Sequence, residues 1–112
     1  MRHLTEQEFL APLRAGDIEL NRETRRITRS GRIIHVSPLE FQLLECLMGT
    51  PGRSLSRAQL LETVWGPTTI DQRIVDTHIS QLRKALIQEG ETNPIKTVRG
   101  FGYRLIESFD NP

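Results

Sequence analysis

From Asp71 to Gln88 the chain carries no glycine or proline, and Val75, Ile79, Leu82 and Leu86 recur at helical spacing. At about 100° per residue these four fall on one narrow stripe. A helix with so thin an apolar strip can be covered on one side only. Its other side holds Arg73, Thr77, Ser80 and Lys84, with Asp76, Gln81 and Arg83 at the flanks, and must meet water or a polar partner. The chain has 112 residues, 37% of them hydrophobic. That is material for one domain with a modest core, and too little for a helix buried all round.

The elements before this helix are marked by their own chemistry. Ser37-Pro38-Leu39-Glu40 reads as a helix start, with serine at the N-cap, proline in the first turn and glutamate placed to close a capping box. Phe41, Leu43, Leu44, Leu47 and Met48 then form a wide apolar stripe that ends at Gly49-Thr50-Pro51-Gly52. Ser56-Arg57-Ala58-Gln59 repeats the device with glutamine, and its helix carries Leu60, Leu61, Val64 and Trp65 before Gly66-Pro67 stops it. Upstream lie three short segments of strand character, Asp17–Leu20, Arg25–Arg29 and Arg32–Val36, separated by Asn21-Arg22-Glu23 and by Ser30-Gly31. Downstream, Ile95–Val98 and Tyr103–Ile106 read as two strands joined by Arg99-Gly100-Phe101-Gly102. Asp71 is the expected N-cap of the third helix, which should run to about Gln88. Residues 1–15 read as a linker or N-terminal arm, with a mild helical spacing of Leu4, Phe9, Leu10 and Leu13, and 108–112 as a tail.

Charge and composition exclude several classes. Fifteen Lys+Arg against fourteen Asp+Glu leave a formal charge of +1, so overall charge does not by itself announce nucleic acid. The basic residues are clustered, however. Arg22, Arg25, Arg26, Arg29 and Arg32 form one group, and Arg73, Arg83, Lys84, Lys96, Arg99 and Arg104 another. The single Cys46 excludes an internal disulfide and a thiolate zinc cluster, and reads as a small core residue. His3 and His35 have no carboxylates spaced around them, so no metal or other cofactor is expected. No apolar run approaches the ~20 residues of a membrane span, and the start has no secretory-signal pattern. A phosphate-cradling glycine loop, a nucleophile elbow and a spaced metal-ligand set are all missing, so an enzyme is not expected.

Sheet, helix, short helix, longer helix with a donor-rich face, then a hairpin with an arginine at its tip is the order of an α+β winged helix-turn-helix. It has an N-terminal antiparallel sheet, three helices and a C-terminal β-hairpin wing, spanning residues 16–107. A helix of this kind can enter the DNA major groove while the hairpin reaches phosphates or the minor groove. Arginine and lysine can donate to guanine or phosphate, and glutamine can bind adenine. The alternative is a winged helix used only for protein contacts, which a salt-dependent DNA titration separates from the first.

The blocks Ser37-Pro38-Leu39-Glu40-Phe41-Gln42-Leu43-Leu44, Ser56-Arg57-Ala58-Gln59-Leu60-Leu61, Val64-Trp65-Gly66, Arg73-Ile74-Val75-Asp76-Thr77-His78-Ile79, Leu82-Arg83-Lys84-Ala85-Leu86 and Thr97-Val98-Arg99-Gly100-Phe101-Gly102-Tyr103-Arg104 resemble the DNA-binding domain of OmpR/PhoB-type response regulators. The likeness is strongest to the phosphate-regulon members and covers about residues 16–107. It implies a four-stranded N-terminal sheet and a cytoplasmic bacterial transcription factor of a two-component system. It also implies tandem head-to-tail homodimers on direct-repeat half-sites of double-stranded DNA. The phosphoryl-accepting receiver domain of such regulators has no room in this chain. By the same resemblance the 66–72 loop is a candidate contact to RNA polymerase, although it is about one residue shorter here. Several relatives carry arginines where this chain has Ser80 and Gln81.

The expected DNA-facing residues are Arg73, Thr77, His78, Ser80, Gln81, Arg83 and Lys84 on the third helix. Thr97, Arg99, Gly100 and Tyr103 are expected on the wing, with Tyr103 and Thr97 offering hydroxyls to phosphates. Two readings stand for His78, a packed ring or a phosphate donor. Trp65 reads as core, with an indole N–H that reaches phosphate in the family. Asp76, an acid on a basic face, reads as accepting from cytosine N4 or, in preference, as holding Arg73 or Lys84 in place. The Arg22–Arg32 group reads as a solvated face, or else as a contact to a neighbouring protomer or receiver, on the side away from the third helix.

Overall fold

The computed structural model describes residues 11–106; the first ten residues of the arm expected over 1–15, and the tail over 108–112, lie outside them. Four short strands, β1 (Leu13–Ala15), β2 (Ile18–Asn21), β3 (Arg26–Arg29) and β4 (Arg32–Ile34), form an antiparallel sheet in sequential order. Ile18, Leu20, Ile27 and Ile34 alternate inward along it and are buried. β1 falls where the sequence suggests an arm. It is three residues long, too short to show a period, and it is fixed by pairing with β2, Ala15 opposite Ile18.

Three helices follow, α1 (Pro38–Gly49), α2 (Arg57–Trp65) and α3 (Arg73–Leu86), with a short strand β5 (Ser54–Ser56) just ahead of α2. The capping box expected at α2 is complete: the Ser56 hydroxyl accepts the Gln59 N–H, and the Gln59 side chain accepts the Ser56 N–H. At α1, Ser37 likewise accepts the Glu40 N–H at 3.2 Å. Asp71 acts from just outside α3, where its Oδ1 accepts the Arg73 N–H at 2.9 Å. Val75, Ile79, Leu82 and Leu86 are all fully buried. The narrow stripe is the seam by which α3 meets the core.

A hairpin closes the chain, β6 (Ile95–Val98) and β7 (Gly102–Leu105), and β5 pairs with the far side of β7 to make a three-stranded sheet. β5 has no counterpart among the sequence expectations, because Ser54-Leu55-Ser56 carries no periodicity of its own. The hairpin turn rests on Gly100 at φ +71, with the Phe101 N–H bonded to the Val98 carbonyl. α1 packs on both other helices and on β1 and β7. This leaves the polar face of α3 and the hairpin tip on the surface.

Candidate nucleic-acid interface

On α3, Arg73, Thr77, Ser80, Gln81 and Lys84 are exposed, and so are Lys96, Thr97, Arg99 and Gly100 on the hairpin. The Arg73 guanidinium meets Asp71 at 3.0 Å with both side chains largely in water, a pairing that holds it only weakly. Thr77 bonds back to the Arg73 carbonyl at 3.4 Å. Phe101 is also exposed at the turn, an apolar side chain beside Arg99 and Gly100.

Other expected residues are held inside the domain. His78 is half-buried: its Nδ1 lies 2.7 Å from Glu40 Oε2 and its ring is tilted against Trp65 with centroids 5.5 Å apart. Burial pushes the Glu40 carboxyl up, but hydrogen bonds from Ser37 and His78 outweigh it and hold it below its usual value. His78 therefore ties α3 to the start of α1, and Trp65 braces it from α2. That geometry favours the packed ring among the two readings.

Asp76 does not hold Arg73 or Lys84. It accepts from Arg57 Nε at 2.7 Å and from the Tyr103 hydroxyl. Helix geometry explains the correction, since residue 76 lies at the edge of α3 that faces α2 and β7. Tyr103 is buried, and burial followed by its bond to Asp76 raises its pKa. Its hydroxyl is thus already donated, which corrects its expected role as a phosphate donor. Arg83 is turned the same way, with Nη2 donating to the Ile95 carbonyl at 2.7 Å and to Thr97 Oγ1 at 2.9 Å. Arg57 was not singled out in the sequence, where nothing links it to Asp76 or Tyr103.

Arg22, Arg29 and Arg32 of the Arg22–Arg32 group build a structural network, while Arg25 and Arg26 are exposed. Arg29 is fully buried and donates to Asp17 at 3.1 Å, to the Leu86 carbonyl at 3.0 Å and to the Thr92 carbonyl at 2.7 Å. Arg32 reaches the same Leu86 carbonyl at 3.3 Å and pairs with Glu91 at 2.8 Å. Arg22 pairs with Glu45 at 3.1 Å, and Arg25 covers the Phe41 ring at 4.2 Å. Two guanidinium groups thus cap the C-terminal end of α3, where the helix dipole favours positive charge. Their capture of the Leu86 carbonyl, with Glu91 accepting the Gln88 N–H at 2.7 Å, ends the helix at Leu86, two residues earlier than the sequence suggests.

This network makes a pH prediction. The hydrogen bond from Arg32, against some burial and with help from the Gln88 N–H and the Arg29 charge, lowers the Glu91 pKa from 4.5 to about 2. Its folded value lies below its unfolded one, so its contribution is complete above about pH 4.5 and is lost as pH falls toward 2. Urea titrations across that window should show stability falling less steeply for Glu91→Gln than for wild type. Equal slopes would mean that the pair is not formed.

Among the described residues no group of His, Cys, Asp and Glu is placed to hold a metal ion, and no helix is long and apolar enough to cross a membrane. The geometry is that of a winged helix: a helix with an exposed donor-rich face, braced by two others, beside a hairpin tipped by arginine. The family model described as "Transcriptional regulatory protein, C terminal" matches residues 31–105. The PhoB phosphate regulon transcriptional regulatory protein of Rhizobium meliloti is 53% identical over 94 residues, covering 83% of this chain and 41% of that protein. Its counterpart in Pseudomonas aeruginosa is 41% identical over 96 residues, covering 85% and 42%. The chain thus spans about two-fifths of the length of these relatives. Among solved structures, the DNA-binding domain of Escherichia coli CpxR superposes with a TM-score of 0.75 at 30% identity, covering 87% of this chain and 97% of that one. The DNA-binding domain of Klebsiella pneumoniae RstA, solved in complex with the RstA box, gives 0.76 at 31%, covering 86% and 97%.

The chain belongs to the OmpR/PhoB-type family of transcriptional-regulator C-terminal DNA-binding domains. This is a family of DNA-binding response-regulator output domains and not of enzymes.

Proposed function

We propose that this domain binds a specific duplex sequence with α3 in the major groove and the β6–β7 wing at the minor groove, as the output of a cytoplasmic two-component regulator. The observation that carries this reading is the shared exposure of Arg73, Thr77, Ser80, Gln81 and Lys84 on one helix face with Arg99 and Thr97 on the adjacent hairpin. The RstA domain, of the same fold, was solved on its DNA box. Arg73, Gln81 and Lys84 have the donors and reach for base edges or phosphates, and Thr77 and Ser80 are short enough to let the backbone approach. Trp65 and His78 border this face and support it, with the second ring nitrogen of His78 also able to meet a phosphate. The reading extends to tandem head-to-tail homodimers on direct repeats and to RNA polymerase at the 66–72 loop.

Arg99 is assigned to the minor groove, where acceptor patterns are nearly degenerate and an arginine reads width more than identity. Gly100, at φ +71 with open space around it, lets the hairpin backbone come close. Arg99→Ala should weaken binding to many duplexes by a similar factor and lower the salt slope by about one. The loss should be larger on duplexes whose A·T-rich flank narrows the groove. Titrations of both proteins on two duplexes differing only in that flank, across a salt series, make the comparison. Unchanged affinity and slope on both would take the hairpin off the DNA.

A further inference from the structure

Arg83 lies on the α3 face expected to read DNA, yet its side chain points back into the protein. One guanidinium nitrogen, Nη2, serves both the Ile95 carbonyl and Thr97 Oγ1, at 2.7 and 2.9 Å. Cζ lies 5.4 Å from the centre of the Tyr103 ring, and Arg83 Nε is withdrawn from solvent with no hydrogen-bond partner among the described residues. Arg83 therefore touches both strands of the wing, since Thr97 on β6 is paired with Tyr103 on β7. Tyr103 is in turn fixed from α2 and α3: Arg57 stacks on it at 5.2 Å, and Asp76 takes its hydroxyl and the Arg57 Nε–H. To reach a base, Arg83 would have to abandon two acceptors and a ring that already hold it. Lys84, the next residue, is exposed.

We propose that Arg83 is a positioning residue for DNA recognition: it locks α3 to the wing, so that the helix face and Arg99 meet the duplex in one fixed register. Asp76, Arg57 and Tyr103 form the backing that keeps it there. This rests on the DNA-binding reading above and assigns within it a division of labour. Arg83 and Tyr103 set the geometry, and the exposed residues of α3 and the hairpin make the contacts.

The distinguishing property of a strut is coupling. A residue that contacts DNA by itself adds its effect to that of Arg99, whereas a residue that places Arg99 does not. The experiment is a double-mutant cycle of Arg83→Ala and Arg99→Ala by fluorescence anisotropy. The probe is a duplex selected by the wild-type protein from random DNA, together with each single-base variant of it. Arg83→Ala should weaken every duplex by about tenfold, the scale of losing a charged hydrogen bond, and leave the rank order of the variants unchanged. In the Arg83→Ala background, Arg99→Ala should cost markedly less than it does alone. Arg83→Lys keeps the charge on a side chain one bond shorter, without the planar group that lies against the Tyr103 ring, so it should behave like the alanine variant.

Relaxed discrimination at one base pair, restoration by lysine, or losses that multiply in the double variant would each overturn the proposal. If Arg83→Ala does not fold, as thermal unfolding would show, Arg83→Met keeps the aliphatic stem and removes the guanidinium. Non-additivity with Arg99→Ala is then expected, and independence overturns the proposal. Absence of any wild-type selection from random DNA would instead sink the DNA-binding reading, and this inference with it.

Discussion

Replacing Arg29 by alanine is expected to cost about 3–5 kcal/mol of folding stability, the range for breaking a buried charge network by removing one partner. The side chain is fully buried and its hydrogen bonds run to three separate segments, to Asp17 before β2, to Leu86 at the end of α3 and to Thr92 before β6. Alanine would take one donor from each of the Leu86 and Thr92 carbonyls, and the Asp17 and Glu91 carboxylates would lose a shared cation 3.1 and 3.6 Å away. A small domain holds only about 5–15 kcal/mol in total, so the variant should be close to unfolded at growth temperature. Urea denaturation measures the loss directly. A cost below about 1 kcal/mol would mean that the network is replaceable by water, as exposed pairs are.

The second large effect is expected from Gly102→Ala. The backbone there needs no left-handed conformation, so sterics alone decide the outcome. A Cβ at residue 102 would lie 2.0 Å from the Leu55 carbonyl oxygen and 2.9 Å from the Ser56 Cα. Both are backbone atoms of β5, paired with β7 in register Ser56↔Gly102, and neither can swing aside as a side chain could. β5 and β7 must separate, which should cost about 3 kcal/mol, the upper end for overpacking. It should also loosen the hairpin that carries Arg99. Thermal unfolding and amide exchange at Leu55 and Tyr103 would register it. A variant with wild-type stability and protection would contradict the close approach of the two strands.

How much of this was legible in the sequence follows from the range of each interaction. The caps at Ser37 and Ser56, the stripe Val75-Ile79-Leu82-Leu86 and the glycine turn at Gly100 are local features, and each produced the element it implied. β1 and β5 are three residues each, too short for alternation to show, and both exist because a partner strand accepts them. α3 ends at Leu86 for a reason 57 residues away, the Arg29 guanidinium on its last carbonyl. The same distance hid the role of the arginine group, which in sequence is only a basic run. Asp76 reads in the sequence as a partner of Arg73 or Lys84 on its own helix, but its partners Arg57 and Tyr103 come from two other elements. At the surface, composition and spacing pointed to a helix face and a hairpin tip, and the structure leaves both exposed. They could not tell Lys84, which points out, from Arg83, which points in.

The exposed α3 face and the hairpin are expected to bind duplex DNA by sequence. The most direct measurement titrates the wild-type protein against a duplex it has selected from random DNA and against a scrambled duplex of equal composition, at several salt concentrations. The selected duplex should be preferred by about a thousandfold or more, with affinity for both falling steeply and log-linearly with salt. Equal affinity for the two duplexes, or no binding at low salt, would contradict it.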